Sequence, residues 1–342
     1  MHWHTRWIIC SFFGLLANSL LAQSTEFMDG KHIFGNAGLI FGCQIASLEA
    51  ELNDEAKQDL QEIHEFLNDL TGVDTRGLTE VIIQFGDDDY RFDSAVDVIG
   101  PTVGIVFRCR EEIPEDTVEK FVTKLNLRED KYDGHAYFMR PGIQPAFVFS
   151  ENSMLIAETE RIFKYFDQLR SDGAASDSGI LQHTLIGSEI TGHIALEQTG
   201  VSHLLRSIIA EFSYQRFNYQ KTLEPLLKYA KTANLQVALN ETKVIQITLQ
   251  ARNQSDLASL EMEVKKLFAL ILSQLEESKS AAKLADKPDY EGFLKSFITV
   301  LAGLQISQTD EGVLISSENS QAVRDVLNQY IRYLHGLLKP TP

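Results

Sequence analysis

The sequence predicts an α+β protein in which antiparallel sheets have helices packed on one face. Strand-length runs that alternate apolar and polar residues lie between longer segments whose apolar residues recur every three or four positions. Leu235, Val237 and Leu239 show the alternation, and the run 244–249 repeats it. Because this pattern buries one side of a strand, it favours antiparallel sheets over the parallel sheet of a βαβ protein.

The first half of the chain alternates strands with amphipathic helices. In the helix predicted at 48–70, Leu60, Ile63 and Leu67 recur at helical spacing, and Gly72 suits its C-terminal end. Pro114 suits the first turn of a second helix. The predicted elements are a strand at 37–46, a helix at 48–70, strands at 79–86 and 102–109, a helix at 114–125, strands at 135–139, 146–149 and 154–157, and a helix at 160–170.

The second half follows a small, polar, glycine-containing stretch at 171–179, where we place a domain boundary. This gives two α+β lobes, 23–175 and 176–342. The predicted elements are a short helix at 180–186, a strand at 191–196, a helical region at 201–232, a hairpin at 233–251 that turns at Asn240 and Glu241, helices at 256–277 and 290–302, a hairpin at 303–317 that turns at 310–312, and a helix at 320–338.

The order of these elements indicates an internal duplication. Placed side by side, the two halves share the order strand, helix, two strands, helix, two strands, helix, which is β-α-β-β-α-β-β-α. The final segments agree best, because 147–169 and 304–334 each contain a hairpin with an acidic, polar turn followed by an amphipathic helix.

The N-terminus has the layout of a signal peptide at residues 1–22. Arg6 precedes an apolar run from Trp7 to Ala22, and we expect cleavage before Gln23, with Ala17 as the second choice. The alternative is an uncleaved anchor, but the run is shorter than the roughly 20 apolar residues that a bilayer requires. No later segment is long and apolar enough to span a membrane. We therefore expect an exported, soluble mature chain that is periplasmic or extracellular.

The formal net charge of −17 limits the partners of this protein. Nucleic acids are held mainly by cationic side chains against phosphate, and the sequence contains no basic stripe with interleaved aromatic residues. We therefore predict no binding to nucleic acid.

Two cysteines, Cys43 and Cys109, remain once the leader with Cys10 is removed. Both lie in strand-like runs. They would form a disulfide if those strands were neighbours, and two buried thiols are the alternative.

The familiar catalytic signatures are missing from the sequence, including G-x-S-x-G, H-E-x-x-H and the phosphate-binding glycine motifs. We therefore predict no cofactor and a non-catalytic role. A calcium site is an alternative, because Asp87, Asp89 and Asp93 could supply hard oxygen ligands. A second alternative is an unrecognised hydrolase, in which Glu189 and Glu197 would act with His193 as acid and base.

The chain resembles a family of uncharacterised exported α+β proteins of planctomycete-type bacteria. The features that carry the resemblance are the leader, LTGVDTRGLTEVIIQFG (70–86), YDGHAYFMRP (132–141) and the hairpin and helix FVFSENSMLIAETERIFKYF (147–166). The resemblance implies export and a duplicated α+β fold, and it supplies no site residues.

These observations predict an exported, periplasmic or envelope-associated protein with a binding or structural role. Its partner would be a protein or another envelope component, held on a surface or in the cleft between the lobes. The hydrolase and the calcium or small-ligand protein are the alternatives, and both would use that cleft.

Overall fold

The computed structural model describes residues 37–86, 103–141, 143–170, 188–198, 201 and 219–338. The chain divides into two compact units. The first comprises Met1–Ala50 and Gln61–Gly187, and the second comprises Glu51–Leu60 and Ser188–Pro342. The leader predicted at 1–22 and the boundary predicted at 175–176 both lie outside the described residues. The sequence did not predict that residues 51–60 belong to the second unit.

The first unit contains a seven-stranded antiparallel sheet in the order β1-β2-β3-β7-β6-β5-β4. Its elements are β1 (Ala37–Gln44), α1 (Ile45–Ala50), α2 (Asp54–Thr71, whose first residues belong to the second unit), β2 (Leu78–Gly86), β3 (Val103–Cys109), α3 (Glu115–Leu125), β4 (Arg128–Tyr132), β5 (His135–Arg140), β6 (Ile143–Ser150), β7 (Ser153–Ala157) and α4 (Thr159–Arg170).

The helix predicted at 48–70 is interrupted at residues 51–53. Asn53 starts α2, because its Oδ1 accepts a hydrogen bond of 2.8 Å from the backbone N–H of Ala56. Gly72 follows the helix with φ of 79°, a left-handed conformation that favours glycine, as predicted.

Helices pack on both faces of the first unit's sheet. On one face, Val106 and Leu155 are cross-strand partners and belong to a buried cluster with Ile162 of α4. On the other face, the ring of Phe121 in α3 lies 5.3 Å from that of Phe147. The predicted class, α+β with antiparallel sheets, is confirmed, and α4 covers a second face because that face is also apolar.

The second unit contains a five-stranded antiparallel sheet in the order β8-β9-β10-β12-β11. Its helices α5 and α6 contribute Leu226, Leu260 and Val264 to a core that includes Val313 and Ile315. The elements are β8 (Ile190–Ile194), α5 (Tyr219–Tyr229), β9 (Ala230–Val237), β10 (Ile245–Ala251), α6 (Leu257–Leu284), α7 (Pro288–Ala302), β11 (Gln305–Gln308), β12 (Gly312–Ser317) and α8 (Ser320–Leu338).

The last helix, α8, is held to residues 51–60 within the second unit by acid–base pairs. Arg324 Nε lies 2.6 Å from Glu51 Oε2, and His335 Nδ1 lies 2.6 Å from Asp59 Oδ1. Arg332 pairs with Glu55 between them. No helix among the described residues is long and apolar enough to cross a bilayer.

The two units share one topology. In each, the first three strands lie side by side in chain order, followed by the last strand and then the one that precedes it in sequence. The first unit adds the hairpin β4–β5 at its edge. This shared order is the one that the predicted duplication requires.

Cys43 and Cys109 lie on strands that are not neighbours. Cys43 pairs with Val81 of β2, and Cys109 pairs with Leu78 of the same strand, so β2 separates them. Strands two positions apart are about 10 Å apart, whereas disulfide-bonded cysteines have Cα atoms within about 7 Å. Both residues are thiols, and burial raises the pKa of the Cys109 thiol to about 11.

Candidate functional site

One face of the second unit's sheet is formed almost entirely by uncharged polar side chains. Neighbouring residues of a strand point to opposite faces, so these side chains alternate with core residues such as Ile247, Leu249 and Ile315. We call this surface the neutral face. Its members are Thr191, His193, Thr232, Asn234, Gln236, Gln246, Thr248, Gln250, Gln305, Ser307, Leu314 and Ser316.

The strand register aligns the members of the neutral face in two straight cross-strand rows. Each row runs across β8, β9, β10, β12 and β11. The first row is Thr191, Gln236, Gln246, Ser316 and Gln305, and the second is His193, Asn234, Thr248, Leu314 and Ser307.

The composition of the neutral face departs from that of the whole protein. Charged residues make up 23% of the chain, and the net charge is −17. The neutral face has no charged member, and Leu314 is its one apolar member. A solvated face of so acidic a protein would ordinarily carry several carboxylates, so this uncharged surface requires a separate explanation.

The neutral face is open around its centre. Thr248 is exposed although its strand, β10, lies between β9 and β12. Gln305 and Ser307 at the β11 edge are exposed too. A helix packed over this region would bury Thr248, as α4 buries Val106 and Leu155 in the first unit.

Hydrogen bonds orient some side chains of the neutral face and leave others available. His193 Nδ1 donates to Asn234 Oδ1 at 2.7 Å, because an amide oxygen can only accept. Gln236 Nε2 donates to Ser188 Oγ at 2.7 Å. Within the described part of the chain, the side chains of Gln246 and Thr248 make no hydrogen bond. Their donors and acceptors can therefore meet a ligand.

The predicted acid–base group does not assemble. The buried Glu189 accepts a hydrogen bond of 2.9 Å from the backbone N–H of Leu239, and burial raises its carboxyl pKa. Glu197 lies 3.9 Å from Lys231 in an exposed ion pair. Since His193 bonds to Asn234, the three predicted groups have three separate partners, and the geometry gives no support to a hydrolase site.

The calcium ligands predicted at Asp87, Asp89 and Asp93 lie outside the described residues. Across the ranges that the structure does describe, no group of three or more His, Cys, Asp or Glu residues could hold a metal ion.

Two groups of polar side chains in the first unit are largely buried. Glu80 accepts a hydrogen bond of 2.8 Å from Gln44 Nε2, and its other oxygen lies 3.4 Å from Arg108 Nε. His64 Nδ1 lies 2.8 Å from Thr75 Oγ1, and burial lowers the pKa of His64 to about 4. These groups satisfy one another inside the fold, so they stabilise it and are not presented to a ligand.

Sequence reasoning did not identify the neutral face. Its signal was the set of polar residues that alternate with the predicted core, among them Gln236, Gln246 and Thr248. Those residues are uncharged and non-aromatic, and their spacing in the sequence matches no catalytic motif.

The chain matches no protein family and no curated protein. Among solved structures it is similar to three crystal forms of TP0453. Form III is 8% identical with a TM-score of 0.40, covering 89% of this chain and 99% of that one. Form I is 9% identical with a TM-score of 0.36, covering 90% and 99%. Form IV is 12% identical with a TM-score of 0.34, covering 66% and 81%. Similarity at this level does not extend to a site or an activity.

Proposed function

We propose that this protein is an exported, non-catalytic binding protein, periplasmic or envelope-associated, that holds its partner on the neutral face. Export rests on the signal-peptide pattern at 1–22 and on the resemblance to exported α+β proteins. The observation that carries the binding role is the exposure of Thr248 at the centre of an aligned, uncharged and polar surface.

Binding accounts for the neutral face better than catalysis does. Acid–base catalysis requires a titratable donor and acceptor within hydrogen-bond reach of one reacting atom. The neutral face has one imidazole and no carboxylate, thiol or amine among its members. Its amides and hydroxyls can hold a ligand without transferring protons to it.

A cosedimentation assay tests the proposal. Mature protein, which we expect to begin at Gln23, is mixed with the washed, insoluble envelope fraction of its own host. We expect the protein to sediment with that fraction. Thr248→Arg places a long cation at the centre of the neutral face and should weaken binding at least tenfold, by steric block and by the cost of desolvating the charge.

The matched control is Thr242→Arg. Thr242 is an exposed threonine of the same unit, in the turn between β9 and β10 and outside the neutral face. Circular dichroism melting of both variants separates loss of binding from loss of folding. Equal binding by the folded Thr248→Arg and Thr242→Arg variants would overturn the proposal.

A further inference from the structure

Building on the proposed function, we infer that the ligand of the neutral face is an uncharged, hydroxyl-rich polysaccharide that lies along the cross-strand rows. Three properties of the neutral face favour such a ligand: its lack of charge, its hydrogen-bonding capacity and its geometry.

The absence of charge selects an uncharged ligand. A surface that binds phosphate, sulfate or carboxylate groups presents Lys or Arg, and one that binds a basic protein presents Asp or Glu. The neutral face presents neither, although both kinds of residue are abundant elsewhere in the chain. An ionic ligand would lose its hydration at this surface and find no opposite charge there.

The hydrogen-bonding groups favour hydroxyls over an apolar protein surface. Protein interfaces concentrate aromatic and aliphatic side chains at their centre, whereas the centre of the neutral face is Thr248, flanked by Asn234 and Leu314. Amide and hydroxyl side chains both donate and accept, and so does every sugar hydroxyl. Gln246 and Thr248 make no hydrogen bond within the described residues, so they can bond to such groups directly.

The geometry favours an extended polymer over a single sugar. Neighbouring strands are about 4.8 Å apart, so the four strands β9, β10, β12 and β11 span about 14 Å. Thr191, at the β8 end of the first row, is buried. Across the other four strands that row presents the polar side chains of Gln236, Gln246, Ser316 and Gln305, none of which is buried. A polymer that lies along the row would meet a new donor or acceptor at each step.

Affinity electrophoresis tests the ligand class. The full mature chain is run in native gels that contain dextran, a β-glucan or a galactomannan, and in gels that contain the anionic polymer alginate. We expect at least one neutral polysaccharide to retard the protein and alginate to leave it unretarded. Thr248→Arg should abolish the retardation, Gln246→Ala should weaken it about fivefold, and Thr242→Arg should retain it.

The outcomes separate this inference from the proposed function. Envelope binding that depends on Thr248, without retardation by any neutral polysaccharide, would overturn the ligand class and leave the binding role intact. Retardation by alginate alone would also overturn the ligand class. Retardation that Thr248→Arg leaves unchanged, while the variant melts like the wild type, would show that the sugar binds elsewhere and would overturn the inference.

Discussion

In the first unit, the helix that follows the last strand, α4, packs on the sheet face formed by Val106 and Leu155. In the second unit, the corresponding helix, α8, packs against α7, where the rings of Phe293 and Tyr330 lie 5.4 Å apart. Residues 51–60 hold α8 as well. The corresponding sheet face of the second unit is the neutral face, with Thr248 exposed at its centre.

The residues that alternate with the core explain this difference. A helix that covers an apolar face gains burial of apolar surface, at roughly 25 cal/mol per Å². A helix that covers amides and hydroxyls without replacing their hydrogen bonds to water loses free energy. One strand order therefore supports a two-sided core in the first unit and an open polar surface in the second.

Both sheets contain a cross-strand row of polar residues, but the rows differ in burial. In the first unit, the row runs through Gln44, Glu80, Arg108, Ser153 and Ser150. Glu80 is 4% exposed, and its carboxylate contacts Gln44 and Arg108. In the neutral face, by contrast, the side chains of Gln246 and Thr248 make no hydrogen bond within the described residues. We therefore assign the polar row of the first unit to stability and the neutral face to binding.

The largest effect is expected when the buried row is broken. Glu80→Gln leaves the largely buried guanidinium of Arg108 without the Glu80 carboxylate, and should lower the free energy of unfolding by about 3–5 kcal/mol. Gln246→Ala in the neutral face should change it by less than about 0.5 kcal/mol. Urea unfolding measured by circular dichroism gives both values. Similar values for the two variants would remove the distinction between a structural row and a binding row.

The sequence predicted the hairpins of the second unit because their alternation is regular. The strands β9 and β10 flank the turn predicted at Asn240, and β11 and β12 flank the one predicted at 310–312. The region predicted as helical at 201–232 ends earlier, since β9 begins at Ala230. Propensity alone does not locate such a junction, because both elements contain buried apolar residues, Leu227 in α5 and Ala230 in β9.

The sequence could not predict β4 or the neutral face as a surface. Residues 128–131 of β4 are all charged and exposed, so this edge strand lacks the apolar alternation that identifies other strands.

The orientation of Thr248 follows from local alternation. Its position beside Leu314 depends on the pairing of β10 with β12, which are more than 60 residues apart. Register over that distance depends on packing, which a local pattern does not contain.

Corresponding leucines test the burial of the two faces. Leu155 lies on the last strand of the first unit and is fully buried, whereas Leu314 lies on the last strand of the second unit and is half-buried on the neutral face. Leu155→Ala should lower the free energy of unfolding by about 2–4 kcal/mol through lost burial and a cavity. Leu314→Ala should cost less than about 1 kcal/mol. Urea unfolding of the two variants makes the comparison, and equal losses would mean that the neutral face is covered.

The last prediction concerns a buried polar group of the first unit, and its effect vanishes above pH 7. Burial lowers the pKa of His64 from 6.5 to about 4 in the folded protein. Between these values the unfolded chain binds a proton that the folded chain does not, so stability falls as the pH drops from 6.5 to 4. The loss from this one group reaches about 3 kcal/mol at the acid end.

His64→Gln keeps a polar side chain beside Thr75 and removes the titration. Its free energy of unfolding should therefore vary less with pH between 4 and 6.5 than that of the wild type. Above pH 7, where His64 is uncharged in both states, the difference between the two proteins should be constant. If the free energy of unfolding of the two proteins changed in parallel between pH 4 and 6.5, His64 would be solvated in the folded protein. That result would contradict the contrast between buried polar groups in the first unit and open ones in the second.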